Sequence, residues 1–163
     1  MLSECARATT AEEARFRVDY PNSLSRRIKI IALDEPAERV VRRLADGAWN
    51  SATFMTALKD GASAGADWLS DLAGEALGLL DQMSAADHVV TVSTAGESAE
   101  HAAIIAEVCN ARRIMLTALV IDPTAVPEPQ LLRTMAPLRA HASMLVVAKG
   151  EEYVEAMLTA LRA

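Results

Sequence analysis

We predict an α/β protein with a three-layer, Rossmann-like fold, in which helices cover both faces of a mostly parallel, five-stranded sheet. Short runs of Ile, Val, Leu and Met alternate along the chain with longer segments at helical spacing. Hydrophobic residues make up 52% of the chain and aromatic residues only 4%, so the core must be built from aliphatic side chains. Repeated β-then-α units of this kind form parallel strands that are buried on both faces.

The elements follow one another in a regular order. Two details of the helices have structural consequences: Gly74 and Gly78 lie four residues apart and indicate a helix face that approaches a neighbour closely, and Pro137 predicts a kink or an end because it has no backbone N–H. The predicted strands are 28–33, 52–58, 89–92, 114–121 and 144–147. The predicted helices are 36–46, 67–84, 97–112, 130–141 and 151–161.

The chain divides into a short lead-in and one domain. Residues 1–25 form a polar N-terminal segment, in which Thr10–Glu13 fits a capping box and predicts a short helix to about Val18. Residues 26–163 are predicted to form a single α/β domain, since a chain of 163 residues has the usual length of one domain.

Composition excludes several classes of function. The net charge of −6 argues against a nucleic-acid partner, because phosphate binding depends on clustered Lys and Arg. No apolar run approaches the ~20 residues that cross a bilayer, and no signal peptide opens the chain, so a cytoplasmic protein is expected. The two cysteines, Cys5 and Cys109, do not have the spacing of metal ligands, and the same is true of the three histidines. No metal, cofactor or catalytic residue is predicted. The histidines are His88, His101 and His141.

Several segments share their order and spacing with a known family. The segments are Arg27–Leu33, Ala37–Gly47, Ala52–Ala57, Ala86–Gly96, Ile105–Glu107, 114–121 and 138–147. Over residues 26–150 they resemble the nucleotide-binding half of the FtsZ family of bacterial tubulin-like GTPases, including its pattern of strand, turn and helix. That resemblance implies a domain related to a GTP-binding fold.

The phosphate-binding motifs of that family are missing from this chain. Asp34-Glu35-Pro36 stands where the family has glycines, and Glu97 to Glu100 replace its glycine-rich signature after Gly96. A phosphate cradle needs bare backbone N–H groups. A carboxylate about 4 Å from a phosphate charge costs about 4 kcal/mol at an effective dielectric of 20. We therefore expect a degenerate nucleotide-binding domain without GTPase activity, which acts through protein–protein contacts as a homodimer.

A second hypothesis rests on the loop Ser93-Thr94-Ala95-Gly96-Glu97-Ser98, which resembles the S-x-S-G-E-T loop of sugar isomerase domains. That resemblance implies a small-molecule binder or enzyme for a phosphosugar or nucleotide. The same residues also permit a structural interpretation, since Thr94 to Glu97 fit a capping box. Ligands of open parallel sheets bind where loops leave the carboxyl ends of strands. The candidate binding residues are Ser93, Thr94, Gly96, Ser98, Asp34, Glu35 and Asp122.

Overall fold

The structure is a computed structural model that describes residues 25–57, 69–72, 76–122 and 124–163. The capping box and short helix predicted near the N-terminus lie outside these residues. Within them, the α/β, mostly parallel, three-layer fold is confirmed.

One sheet runs through the domain, with the strand order β4-β3-β2-β1-β5-β6-β7. All five predicted strands are present in it, and they pair in parallel. They are β1 (Ile28–Ala32), β2 (Ala52–Ala57), β5 (His88–Thr94), β6 (Met115–Ile121) and β7 (Met144–Ala148).

Among the described residues the sheet has two strands more than predicted. Two short strands, β3 (Leu69–Asp71) and β4 (Ala76–Leu77), continue the sheet beyond β2 in antiparallel orientation. They follow the parallel part of the sheet because the outer edge of β2 would otherwise expose unpaired backbone groups.

The long helix predicted for 67–84 is therefore wrong. Of the residues in that range that the structure describes, only α2 (Leu79–Ser84) is helical. Gly78 precedes it at the N-cap position, while Gly74 lies outside the described residues. Pairing of Leu69 and Ser70 with β2 overrides the local helical pattern, because both side chains are buried in the sheet. The close helix approach expected from these glycines does not apply.

The other predicted helices are present with shifted ends. They are α1 (Glu35–Ala45), α3 (His101–Arg112), α4 (Glu128–Arg139) and α5 (Glu151–Ala160). Pro137 lies inside α4, which ends two residues later. One buried cluster joins α1 and α5 to the sheet, and a second joins α2, α3 and α4 to its other face. The sheet is thus covered on both faces.

A buried histidine lies at the amino end of β5, away from the strand ends where ligands are expected. The side chain of His88 is 1% exposed, and its Nε2 lies 2.9 Å from Thr117 Oγ1. Its Nδ1 has no partner among the described residues. Burial, with a smaller contribution from Arg26, lowers the pKa of His88 below its usual value. The ring is therefore neutral in the folded protein near neutral pH.

This burial predicts a pH-dependent stability. An unfolded histidine titrates near pH ~6.5. Below that pH the unfolded chain binds a proton that folded His88 resists, so the free energy of unfolding should fall as pH drops from about 6.5 toward the lowered pKa. The slope contributed by one proton is at most about 1.4 kcal/mol per pH unit. Urea unfolding between pH 7.5 and 5 measures it.

Two variants test whether His88 causes this pH dependence of the free energy of unfolding. His88→Leu should remove this part of the pH dependence, whereas Thr117→Val should keep it, since burial rather than the hydroxyl contact is the main cause of the lowered pKa. An unchanged slope in His88→Leu would contradict the assignment.

Candidate functional site

The carboxyl ends of the parallel strands bring several predicted residues to one edge of the sheet. Asp34 follows β1, the segment 95–100 follows β5 and Asp122 follows β6. A cavity of about 320 Å³ opens beside the ends of β1 and β2. Its polar lining includes three of the predicted residues, Asp34, Glu35 and Ser98.

Hydrogen bonds within the protein fix the position of the Asp34 carboxylate. Its Oδ1 accepts a hydrogen bond from Ala37 N at 2.8 Å and so caps α1. The same carboxylate accepts hydrogen bonds from Thr94 N at 2.7 Å and from Thr94 Oγ1 at 2.9 Å. Asp34 thus joins the start of α1 to the end of β5, 60 residues farther along the chain.

The backbone N–H groups of the loop after β5 donate to acceptors within the protein. Ala95 N donates to Ile121 O at 2.8 Å, and Glu97 N donates to Thr94 O at 3.0 Å. Gly96 N donates to Thr134 Oγ1 at 2.9 Å. With the Thr94 bond to Asp34, four consecutive N–H groups that a phosphate-binding loop would present to a ligand already have partners.

Glycine at position 96 is required by the backbone. Gly96 has φ +94°, a conformation that side chains with a Cβ rarely adopt. The buried hydroxyl of Thr134 fixes this turn, since it accepts from Gly96 N and donates to Glu97 O at 2.9 Å. Sequence reasoning did not identify Thr134, because only the packing of α4 against the loop brings it there.

The capping box predicted at Thr94 to Glu97 is wrong. The hydroxyl of Thr94 donates to Asp34, and α3 begins only at His101, after Glu100 at the N-cap position. Glu100 makes no side-chain capping hydrogen bond. Residues 95–100 stay outside the helix, because the Thr134 bonds hold residues 96 and 97 out of a helical path.

Two other candidates lie away from the cavity. Ser93 is 1% exposed, and its Oγ is 3.4 Å from Leu119 O on the neighbouring strand. The carboxylate of Asp122 accepts a hydrogen bond from Val126 N at 2.9 Å, shortly before α4 begins. Neither side chain lines the 320 Å³ cavity.

Negative charge dominates the cavity wall. One of its carboxylates, Glu38, also pairs with Arg42 at 2.7 Å and accepts from Thr56 Oγ1 at 3.1 Å. Because these charges converge on one opening, the cavity disfavours an anionic ligand. The five acidic residues of the wall are Asp34, Glu35, Glu38, Glu97 and Glu100, with His101 beside them.

The arginines of α1 do not offset this charge with a free cationic face. Arg39 lies 3.7 Å from Glu35, Arg42 pairs with Glu38, and Arg43 pairs with Glu151 of α5. These three arginines therefore all have acidic partners, and the Arg43 pair forms part of the contact between α1 and α5.

A neighbouring cavity of about 360 Å³ lies between the loop and α4. Gly96, Glu97 and Ser98 line one side, and Arg133 and Pro137 of α4 line the other. Arg133 is the cationic residue of this wall. Ser98 thus shares a cavity lining with a group that can bind an anion.

The remaining chemistry of the described residues is limited. None of their His, Cys, Asp and Glu side chains form a group of three that could hold a metal ion. Cys109 is a buried free thiol, and burial raises its pKa to about 11, so it is a poor nucleophile at neutral pH. Within the ranges that the structure covers, every helix is too short or too polar to cross a membrane.

Comparisons with protein-family models and with curated protein sequences find no match to this chain.

Proposed function

We propose that this chain is a non-catalytic relative of FtsZ-like nucleotide-binding domains that acts in the cytoplasm through protein–protein contacts, including self-association as a homodimer. The observation that carries the proposal is the Asp34 carboxylate, which occupies the N-terminus of α1 and the backbone N–H of Thr94. In a nucleotide-binding domain of this architecture, phosphate groups take those donors.

Charge supports the same conclusion. A phosphate in the 320 Å³ cavity would meet Asp34, Glu97 and Glu100 at its wall. Each carboxylate about 4 Å from the phosphate costs about 4 kcal/mol at an effective dielectric of 20. Since about 1.4 kcal/mol is tenfold in affinity, one such contact weakens binding about a thousandfold.

The structure of the loop adds a second reason. A ligand that sought the N–H groups of residues 94–97 would have to displace four internal hydrogen bonds. Each displaced partner that stayed buried without a hydrogen bond would cost about 1–3 kcal/mol of free energy. The loop is therefore better suited to holding the sheet and α4 together than to binding a ligand.

The alternative is a small-anion site in the 360 Å³ cavity. Ser98 and Arg133 both line this cavity, and the presence of a hydroxyl and a cation in one wall is the specific observation that favours the alternative. Glu97 and Glu100 line the same wall, so only a ligand that contacts Arg133 while avoiding both carboxylates would be retained.

A thermal-shift panel with GTP, GDP, inorganic phosphate and fructose 6-phosphate distinguishes the two functions. We expect no ligand to raise the melting temperature. A ligand present at a hundredfold excess over its dissociation constant would add about 2.7 kcal/mol of stability, which is readily measured.

The controls are Arg133→Ala and Asp34→Asn. A stabilisation that is lost in Arg133→Ala would establish the anion site of the alternative. A stabilisation by GTP that persists in Arg133→Ala and grows in Asp34→Asn, which removes a negative charge from the 320 Å³ cavity, would place nucleotide in that cavity and overturn the proposed function.

A further inference from the structure

The last strand of the sheet, β7, has an outer edge without the features that usually prevent pairing with another chain. Within the described residues β7 pairs only with β6, and it ends the strand order. Its sequence is Met-Leu-Val-Val-Ala, without a charge or a proline. Met144 and Val147 are each 40% exposed. Edge strands usually carry charges, prolines or bulges that prevent pairing with another chain, and β7 has neither charge nor proline.

One flank of α4 extends this edge. Gln130 and Thr134 face the loop after β5, since Thr134 bonds Gly96 and Glu97. Leu132 lies two residues from each of them, about 160° around the helix, and so faces away from that loop, toward the β7 side. It is 43% exposed.

The other face of the sheet has a matching flank on α5. Glu151 pairs with Arg43 of α1, which fixes the side of α5 that faces α1. Tyr153 lies two residues on and points to the opposite side, where it lines a shallow apolar groove with Met157 and Ala160. We call Leu132, Met144, Val147, Tyr153 and Met157 the β7 edge surface.

We propose that the β7 edge surface binds a second copy of this chain, so that two β7 strands pair antiparallel across a two-fold axis and the two sheets become one. The inference rests on the proposed self-association and names its interface. A strand that meets its own copy in this way is self-complementary, and a two-fold contact closes at two subunits.

Charges on α4 favour this occupant over an unrelated protein. Glu128 lies in the first turn of α4 and Arg139 in its last turn, and both are exposed. Counted at about 100° per residue, both fall on the same flank as Leu132. A two-fold axis reverses the second helix, so Glu128 of each copy faces Arg139 of the other, with the two Leu132 side chains between these pairs.

A charge-reversal experiment tests this arrangement. Glu128→Arg alone puts two arginines opposite each other, and Arg139→Glu alone puts two glutamates there. Each variant should raise the dissociation constant of the homodimer roughly tenfold or more, as measured by sedimentation velocity. An equimolar mixture of the two variants should form a heterodimer about as tightly as the wild-type chain forms its homodimer, because every opposed pair is again of opposite sign.

A second pair of variants tests the strand contact. Val147→Lys places a charge on the edge and should weaken the dimer roughly a hundredfold, whereas Ile104→Lys is the matched control. Ile104 is 46% exposed on α3 and lies outside the β7 edge surface. Its replacement should leave the dimer unchanged.

Each outcome is decisive. A wild-type dimer that resists Val147→Lys and both charge reversals would overturn the β7 interface while leaving the proposed function intact. A wild-type chain that is monomeric at every concentration would overturn both. Should Val147→Lys fail to fold, mixing of the two charge variants still decides, since the heterodimer forms only from folded chains.

Discussion

Replacing Asp34 with alanine is expected to lower the free energy of unfolding by about 2–4 kcal/mol. The variant loses an N-cap, worth about 1 kcal/mol. It also leaves the N–H and the hydroxyl of Thr94 without their charged acceptor, and hydrogen bonds to charged groups contribute about 1.5–3 kcal/mol. Urea denaturation at pH 7 measures the change.

Two further variants separate the contribution of the helix cap from that of the Thr94 contacts and supply a control. Asp34→Ser keeps a side chain that can cap α1 but is too short to reach Thr94 as well, so it should recover about 1 kcal/mol of the loss. Asp46→Ala is the control, because Asp46 is an exposed aspartate at the other end of α1. Its replacement should change stability by less than about 0.5 kcal/mol. An Asp34→Ala variant as stable as Asp46→Ala would show that the contacts with Thr94 contribute nothing.

Thr134→Val is expected to cost about 1–3 kcal/mol, although it preserves the shape of the side chain. The hydroxyl of Thr134 is 1% exposed and has Gly96 N and Glu97 O as partners. Valine leaves that donor and that acceptor without a partner, and a buried unsatisfied group costs about 1–3 kcal/mol. Thermal and urea unfolding measure the loss.

The matched control for Thr134→Val is Thr159→Val on α5. Thr159 is exposed, and its hydroxyl donates to Glu155 O within the same helix. We expect a change below about 0.5 kcal/mol, because water replaces that contact. Equal losses in the two variants would mean that valine affects both sites through helix propensity, and that the loop contact of Thr134 is not a stabilising one.

The parallel strands could be predicted because each is a short, nearly continuous apolar run. Ile28–Ala32 and His88–Thr94 are buried on both faces of the sheet, and such burial leaves a clear signal in the sequence. The strands β3 and β4 could not be predicted in the same way. They have three and two residues, and they are defined by pairing, of β3 with β2 and of β4 with β3, rather than by any local pattern.

In the candidate site, the location of Asp34 could be predicted from the sequence, but its hydrogen-bond partners could not. The location of Asp34 after a buried strand and before Pro36 already placed it at the carboxyl edge of the sheet. Its bonds to Thr94 depend on β1 and β5 being neighbours, and strand order is not encoded in any one segment. The expected capping box at Thr94 failed for that reason, since the threonine has a stronger, charged partner in Asp34, which follows the neighbouring strand β1.

The carboxylate of Asp34 also constrains how this sequence can change. A glycine at position 34 would free backbone donors for a phosphate, but the same exchange would remove the helix cap and the tie to Thr94. Proteins tolerate few losses of that size before they fall below the stability that function requires. A variant with glycine at position 34 therefore needs a compensating substitution elsewhere first, so stability constrains the order in which such changes can be made.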